Sequence, residues 1–350
     1  VPEFYICVKD TGTKYQLWIS DFNIDGTFTR IHPFIISHTK TMTRTREDGK
    51  EEVFSACIKP DDTRYLGGDK SSSINAIKLQ GRPRTGISYD KANEFCTNRG
   101  DWVTMIDYLE YCAIQALCYI EYANFDNQAT LNVNLTSEGF KQGGLGAGVT
   151  NLAWDRWTAF NGNNPIVQTY WTSEHNIGNG STNGDHYELG NYNTDGSNLS
   201  TYPAVYRGIL NFFGDIWTFI KDIVIINKDT NYNSVYLLKK GVNHADVTVD
   251  NINEKCYLIG DQANSSSFIT EFDFRFGPYF IPNKVGTNKK ADYNWIRGNN
   301  GQDTDKAVRV LLLGGYAHYG SVAGSGSFDS VWVRSDSDAG VGFFTTVKLD

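Results

Sequence analysis

Apolar residues fall into blocks that read mostly as strands, with one interruption where the spacing turns helical. Residues 4–9, 15–20 and 28–36 are rich in aromatic and β-branched side chains and are broken by Thr11-Gly12 and Asp25-Gly26, a strand and turn pattern. Residues 88–122 differ. Asp90 is placed to cap a helix reaching Asn98, with Ala92, Phe95 and Cys96 on one face and Gly100 past its end. Thr104 with Asp107 makes a capping-box-like start for a second helix, along which Leu109, Cys112, Ala113, Ala116, Leu117 and Ile120 form a wide apolar stripe. Strand patterning returns at Tyr206. Ile209, Leu210, Phe212 and Phe213 precede DIWTFIKDIVIIN, residues 215–227, which reads as a buried strand. Residues 234–239 and 255–259 read as further strands, and Val310, Leu311, Leu312 and Leu313 as another; Val341, Phe343 and Phe344 close the chain with an apolar cluster.

Polar stretches separate these blocks. Residues 39–52 read as a hairpin tip or linker, 59–73 as a loop, 270–283 as aromatic and irregular, and 286–305 as a polar excursion. Residues 124–201 are dominated by Gly, Asn, Ser and Thr, a length that implies either function or ornament on a scaffold. No period indicates a solenoid or propeller.

The 350 residues suffice for a sizeable core, and an aromatic fraction of 14% argues against disorder. A net charge of −8 disfavours nucleic acid as a partner. No apolar run approaches the roughly 20 residues of a membrane-spanning helix, and no signal-peptide layout is present, so membrane insertion is not expected. Cys7, Cys57, Cys96, Cys112, Cys118 and Cys256 show no CxxC pairing and read as reduced. The Asn-x-Ser/Thr sites at Asn134, Asn179, Asn198 and Asn264 are what chance supplies in so Asn-rich a chain.

Candidate chemistry is sparse, and neither a cofactor nor a metal is expected. Asp21, Asn23, Asp25 and Gly26 match the start of a calcium loop, but its twelfth position is His32, so the stretch reads as a β-turn. GGLGAG at 143–148 has no strand and helix context for phosphate. Asp185, Glu188 and Asp195 read as solvated loop carboxylates before a calcium site. The histidines at 32, 38, 175, 186, 244 and 318 lack metal-ligand spacing, and no nucleophile elbow occurs.

The order of four motifs is recognisable. IHPFI from Ile31, SYDKANEFCTNRGDWVTMIDYL from Ser88, YRGILNFFGDIWTFI from Tyr206, and Arg309 with Gly314-Gly315, Ser337 and Gly342-Phe343 together resemble the formylglycine-generating-enzyme branch of the C-type lectin fold. That branch also supplies the variable proteins of retroelements and many phage tail and fibre proteins. The resemblance implies an α+β C-type-lectin-like domain over 61–350, two helices packed on a twisted, mainly antiparallel sheet, with loop insertions near 124–204 and 260–306. A small β-rich region over 1–60 would precede it. Asp215, Thr218 and Phe344 depart from the family's Asn, Glu and Arg. The family's enzymes hold copper with two late cysteines; no cysteine follows Cys256, so that chemistry is absent and no enzyme is expected. The sugar-binding tripeptides of animal C-type lectins are also missing, Asn163-Asn164-Pro165 being only an echo.

The resemblance therefore implies a non-enzymatic virion protein, a tail, tail-fibre or head-fibre adhesin that binds a glycan or protein receptor on the bacterial surface and assembles with itself and other virion proteins. Contact would come from the polar, aromatic stretch after Leu313: Tyr316, His318, Tyr319, Trp332 and Arg334, with Ser321, Asp329 and Ser335 supplying hydrogen bonds. A structural decoration or connector protein is the rival expectation, and a polysaccharide-acting enzyme using Asp185, Glu188 and Asp195 comes last.

Overall fold

The computed structural model describes residues 1–12, 14–54, 65–66, 83–127, 131, 189–192, 198–201, 205–227, 232–287, 292–297, 307–315, 317–338 and 340–349. In it the first apolar blocks become β1 (Phe4–Asp10), β2 (Tyr15–Ser20) and β3 (Thr29–Ile31), a sheet of order β2-β1-β3. Pro33 cannot donate to a ladder, so the strand expected over 28–36 is split and resumes as β4 (Phe34–Ile36). The calcium-like stretch is a turn in which Asn23 Oδ1 accepts Phe28 N–H at 3.2 Å. Of the two readings of residues 39–52 the structure shows the hairpin, with its tip at 46–50, and not the linker. Thr39, Lys40 and Thr41 are buried and lead into the hairpin β5 (Met42–Thr45) and β6 (Glu51–Phe54), which β7 (Tyr65–Leu66) extends.

After β8 (Ile87–Ser88), α1 spans Tyr89–Arg99 and buries Ala92, Phe95 and Cys96 as the stripe predicts. Its cap is Ser88, whose hydroxyl accepts Lys91 N–H; Asp90 lies in the first turn, where it favours the positive helix end. Thr104 sits in β9 (Thr104–Met105), and the capping box of α2 (Tyr108–Tyr122) is Asp107 with Glu110. Two hairpins follow, β10 (Leu189–Tyr192) with β11 (Asn198–Thr201) and β12 (Val205–Tyr206) with β13 (Ile209–Leu210).

Eight further strands make the path of the nine-stranded main sheet: β14 (Trp217–Asn227), β15 (Tyr232–Leu238), β16 (Cys256–Ala263, preceded by α3, Ile252–Lys255), β17 (Ser267–Asp273), β18 (Ile281–Gly286), β19 (Tyr293–Trp295), β20 (Arg309–Leu313) and β21 (Phe328–Asp329). Their order is β16-β15-β14-β20-β21-β19-β17-β18. The two ends of this path meet without a backbone ladder. Asn283 Nδ2 donates to Asp261 O at 3.2 Å, Asp261 N–H donates to Asp273 Oδ2 at 3.1 Å, and Arg275 bridges both carboxylates. Finally β22 (Ser337–Asp338) pairs with β8, β23 (Val341–Gly342) lies parallel to β14, and β24 (Thr345–Lys348) runs between β4 and β9.

The expected α+β, C-type-lectin-like layout is thereby overturned. Strand exceeds helix more than twofold, and the main sheet curls into a nearly closed eight-stranded barrel in place of an open sheet carrying helices. Alternate residues serve two cores. Ile223, Val235, Ile259, Ile281, Leu311, Leu313 and Phe328 gather with Tyr108, Tyr111, Cys112 and Ile114 of α2, whereas Phe219, Val310 and Leu312 pack with Ala92 and Phe95 of α1. The strands β17 to β19 escaped the hydrophobic pattern because buried polar residues interrupt it. Asn294, fully buried, receives a hydrogen bond from Gln262 at 2.7 Å and donates to Ala263 O at 3.0 Å. The five described cysteines are free and buried, in keeping with the reduced reading; Cys57 lies outside the described residues. Among the described residues no helix is long and apolar enough to cross a membrane.

Lys40 ties these parts together. Its ammonium is fully buried and donates to Asp215 Oδ1 and to Asn211 O, both at 2.6 Å, with the Phe344 ring centre at 4.8 Å. Burial pushes the lysine down and the aspartate up from their ordinary values, and their mutual attraction opposes both shifts. Next to it, Thr41 N–H donates to Phe343 O and Ala317 N–H to Asp215 O. The pair thus joins the segment before β5, the loop before β14 and the chain on both sides of β21. Removing one member strands a buried charge, so Lys40→Met is expected to lower the unfolding free energy by about 3–5 kcal/mol in urea denaturation.

Candidate functional site

Two features of the closing segment set its shape. Gly314 (φ 95°) and Gly315 (φ 65°) turn the chain out of β20, and a Cβ on Gly315 would sit 2.9 Å from Ala323 Cα. The chain then makes a 3-10 turn, Ala317–Val322, and dives inward: residues 323–330 are buried. Tyr111 Oη donates to Ser325 O at 3.0 Å, and Gly326 N–H donates to Asp292 Oδ2 at 2.5 Å, fixing that stretch to α2 and to the residue before β19. A composition that suits an exposed loop is here half interior, because backbone groups of small residues find buried partners.

The residues singled out in the sequence separate accordingly. Tyr319 is partly buried, its ring 4.6 Å from Trp295 and 6.0 Å from Trp217. Trp295 in turn touches Trp217 at 5.2 Å and Tyr293 at 4.5 Å, and Tyr293 touches Phe268 at 5.2 Å. This aromatic ladder runs outward from fully buried Trp217 to rings that keep solvent contact. Trp332 is partly buried and packs on the same core; its Nε1 donates to Asp329 Oδ2 at 3.3 Å. Asp329 is buried, and Val331 N–H donates to its Oδ1 at 2.7 Å. Burial lifts this carboxyl to about 7, against those hydrogen bonds and the charge of Arg309. Arg334 is partly exposed and pairs with Asp90 at 3.1 Å, while Ser321 and Ser335 are exposed. The His318 side chain and Tyr316 lie outside the described residues, as do Asp185, Glu188, Asp195, GGLGAG and Asn163-Asn164-Pro165.

Tyr319 and Trp332 thus pack on the core that holds Trp217, Arg334, two residues after Trp332, pairs with Asp90, and Ser321 and Ser335 are exposed near them in the chain, a set termed the rim; Asp329 has an internal task. Tyr293 and Trp295 are members that the sequence reading passed over. Their signal was the alternation Tyr293-Asn294-Trp295, a strand pattern with both aromatics on one face. Chemically, the rim offers flat aromatic surface, one guanidinium and small hydroxyls, a set suited to contact. Among the described residues no three His, Cys, Asp or Glu side chains gather to hold a metal ion.

A separate cleft of about 880 Å³ lies against α2, with Ile19, Ile35, Ile36, Ile114, Leu117 and Ile209 among its walls. At its mouth Arg207 donates to Glu121 at 2.9 Å. Arg207 has a left-handed backbone (φ 49°) in the two-residue turn between β12 and β13, a conformation strained for a side chain of this size.

Since Gly315 combines a positive φ with contact against Ala323, Gly315→Ala is expected to cost roughly 1–3 kcal/mol in chemical denaturation. Compared with protein-family profiles and with curated proteins, the chain matches none.

Proposed function

We propose that this chain is a non-enzymatic binding module of a phage virion, a tail, tail-fibre or head-fibre component that contacts a receptor on the bacterial surface through the rim built by Tyr319, Ser321, Trp332, Arg334 and Ser335. The observation that carries the contact reading is the aromatic ladder from Trp217 through Tyr319 and Trp295. Rings locked from behind present area to a partner at little entropic cost, and the guanidinium and hydroxyls around them supply direction. The virion setting rests on the ordered sequence motifs alone. Modest affinity at one rim would be multiplied by the copies on one particle.

A second reading, a decoration or connector protein, is favoured by a different observation. Ile19 and Ile35, 46% and 55% exposed, line the 880 Å³ cleft, and Trp18 and Phe22 in the same N-terminal stretch are 50% and 66% exposed, apolar surface that suits a subunit interface.

Adsorption of labelled protein to a panel of bacterial cells tests the first reading. Because Tyr319 and Trp332 also support the core, the informative variant places bulk at exposed positions, Ser321→Arg with Ser335→Arg. The expected result is at least about a tenfold loss of adsorption with an unchanged melting temperature. Adsorption unaffected by that pair of changes contradicts the rim; adsorption lost on Phe22→Lys instead points to the N-terminal surface.

A further inference from the structure

The last strand is fastened by charged side chains as well as by its ladders. β24 pairs with β9 through two residue pairs and with β4 through three, and β4 has β24 as its ladder partner. Side chains add the rest. Lys348 Nζ donates to Asp107 Oδ2 at 2.6 Å. Thr346 Oγ1 donates to Glu110 Oε2 at 2.9 Å, an oxygen that also accepts Asp107 N–H at 3.0 Å. The other oxygen of Glu110, Oε1, is buried without a hydrogen-bond partner. From β14, Asp222 Oδ1 accepts Tyr108 N–H at 2.9 Å. Three carboxylates thus face a single ammonium.

We propose that β24 is a pH-sensitive strap, held closed when Glu110 and Asp222 carry protons and loosened when Asp107, Glu110 and Asp222 are all charged. Among the described residues, the other titratable groups that feel this cluster include Cys112 of α2, Tyr279 before β18 and Tyr89 of α1, with Tyr108 linked to it through Cys112 and Tyr279, and none of these supplies a cation. Lys221, next to Asp222 on β14, exerts its charge on Cys96 of α1. With all three acids ionised, two negative charges are unbalanced beside Lys348.

Burial, with Asp107 adding to it, raises Glu110 to about 8, and the same two causes raise Asp222 to about 7. Asp222 keeps some solvent contact, so Glu110 dominates. The closed strap binds protons more tightly than an open one, whose carboxyls titrate near 4. Its stabilisation is therefore complete below about pH 4 and is lost as the pH rises through 7 to 8. Opening would free β4, which carries Ile35 and Ile36 in the wall of the cleft.

Hydrogen exchange at pH 6 and pH 8.5, corrected for intrinsic rates, tests this on the intact chain. Residues 34–36 and 345–348 are expected to open at least about tenfold more often at pH 8.5, while the β1–β2 hairpin stays unchanged. Glu110→Gln, which keeps the shape without the charge, is expected to remove most of that increase. Equal protection at both pH values, or a Glu110→Gln variant with the full response, overturns the strap. If that variant does not fold, carbon-13 titration of the Glu110 carboxyl in the unaltered protein decides: a midpoint above 6.5 supports the proposal and one below 5 overturns it.

Discussion

A lysine and an aspartate that no water reaches set the conditions for everything around them. Lys40 and Asp215 are separated by 175 positions in the chain and meet at 2.6 Å in the interior. Removing two charges from water costs several kcal/mol each, and a pair recovers that cost only when its geometry is good and its remaining protons are satisfied. Here Asn211 O accepts a second hydrogen bond from the ammonium, and the face of Phe344 meets it as well. Each partner comes from a different stretch of chain, so the pair selects one arrangement of them. Its value lies in uniqueness at least as much as in net stability, since apolar residues would fill the same space without demanding these partners.

The consequence reaches the rim. Asp215 receives Ala317 N–H through its own carbonyl, Gly214 N–H donates to Gly314 O, and Trp217 N–H donates to Gly340 O. The loop before β14 therefore clamps the closing segment on both sides of its exposed part. Behind the rim, Trp217 is the fixed end of the aromatic ladder, and Tyr319 and Trp295 inherit their positions from it. Rings held in this way are preorganised, where a free Gly/Ser loop would offer an ensemble. The proposed strap adjoins this core, since Val347 of β24 packs on it together with Tyr319 and Trp332.

Much of this was legible where one physical force acts locally. The stripes of α1 and α2, the β-branched run of β14 and the four consecutive apolar residues of β20 follow directly from burial. Caps were legible in kind but displaced by two or three residues, because Ser88, Asp90, Asp107 and Glu110 offer competing acceptors at each helix start. Nonlocal polar pairing was opaque. Lys40 looks like a solvated cation until Asp215 is beside it, although the departure of Asp215 from the resembled family's Asn was a trace of it. The strands β17 to β19 hid behind Asn294 and Asp273, polar side chains that the interior satisfies. Sheet closure was hidden for the same reason, since side chains seal the seam and leave no ladder to read.

For the rim, the aromatics and the arginine were visible by type, and their division of labour was not. Asp329 reads as a ligand contact in sequence and serves Val331 and Trp332 in space. The most direct test of the account is a double-mutant cycle across Lys40→Met and Asp215→Leu, read by hydrogen exchange over residues 312–344. The account predicts that each single change loosens that segment and that the double change restores most of its protection, with a coupling energy of about 2 kcal/mol or more. Additive effects, or a segment indifferent to all three variants, would contradict it.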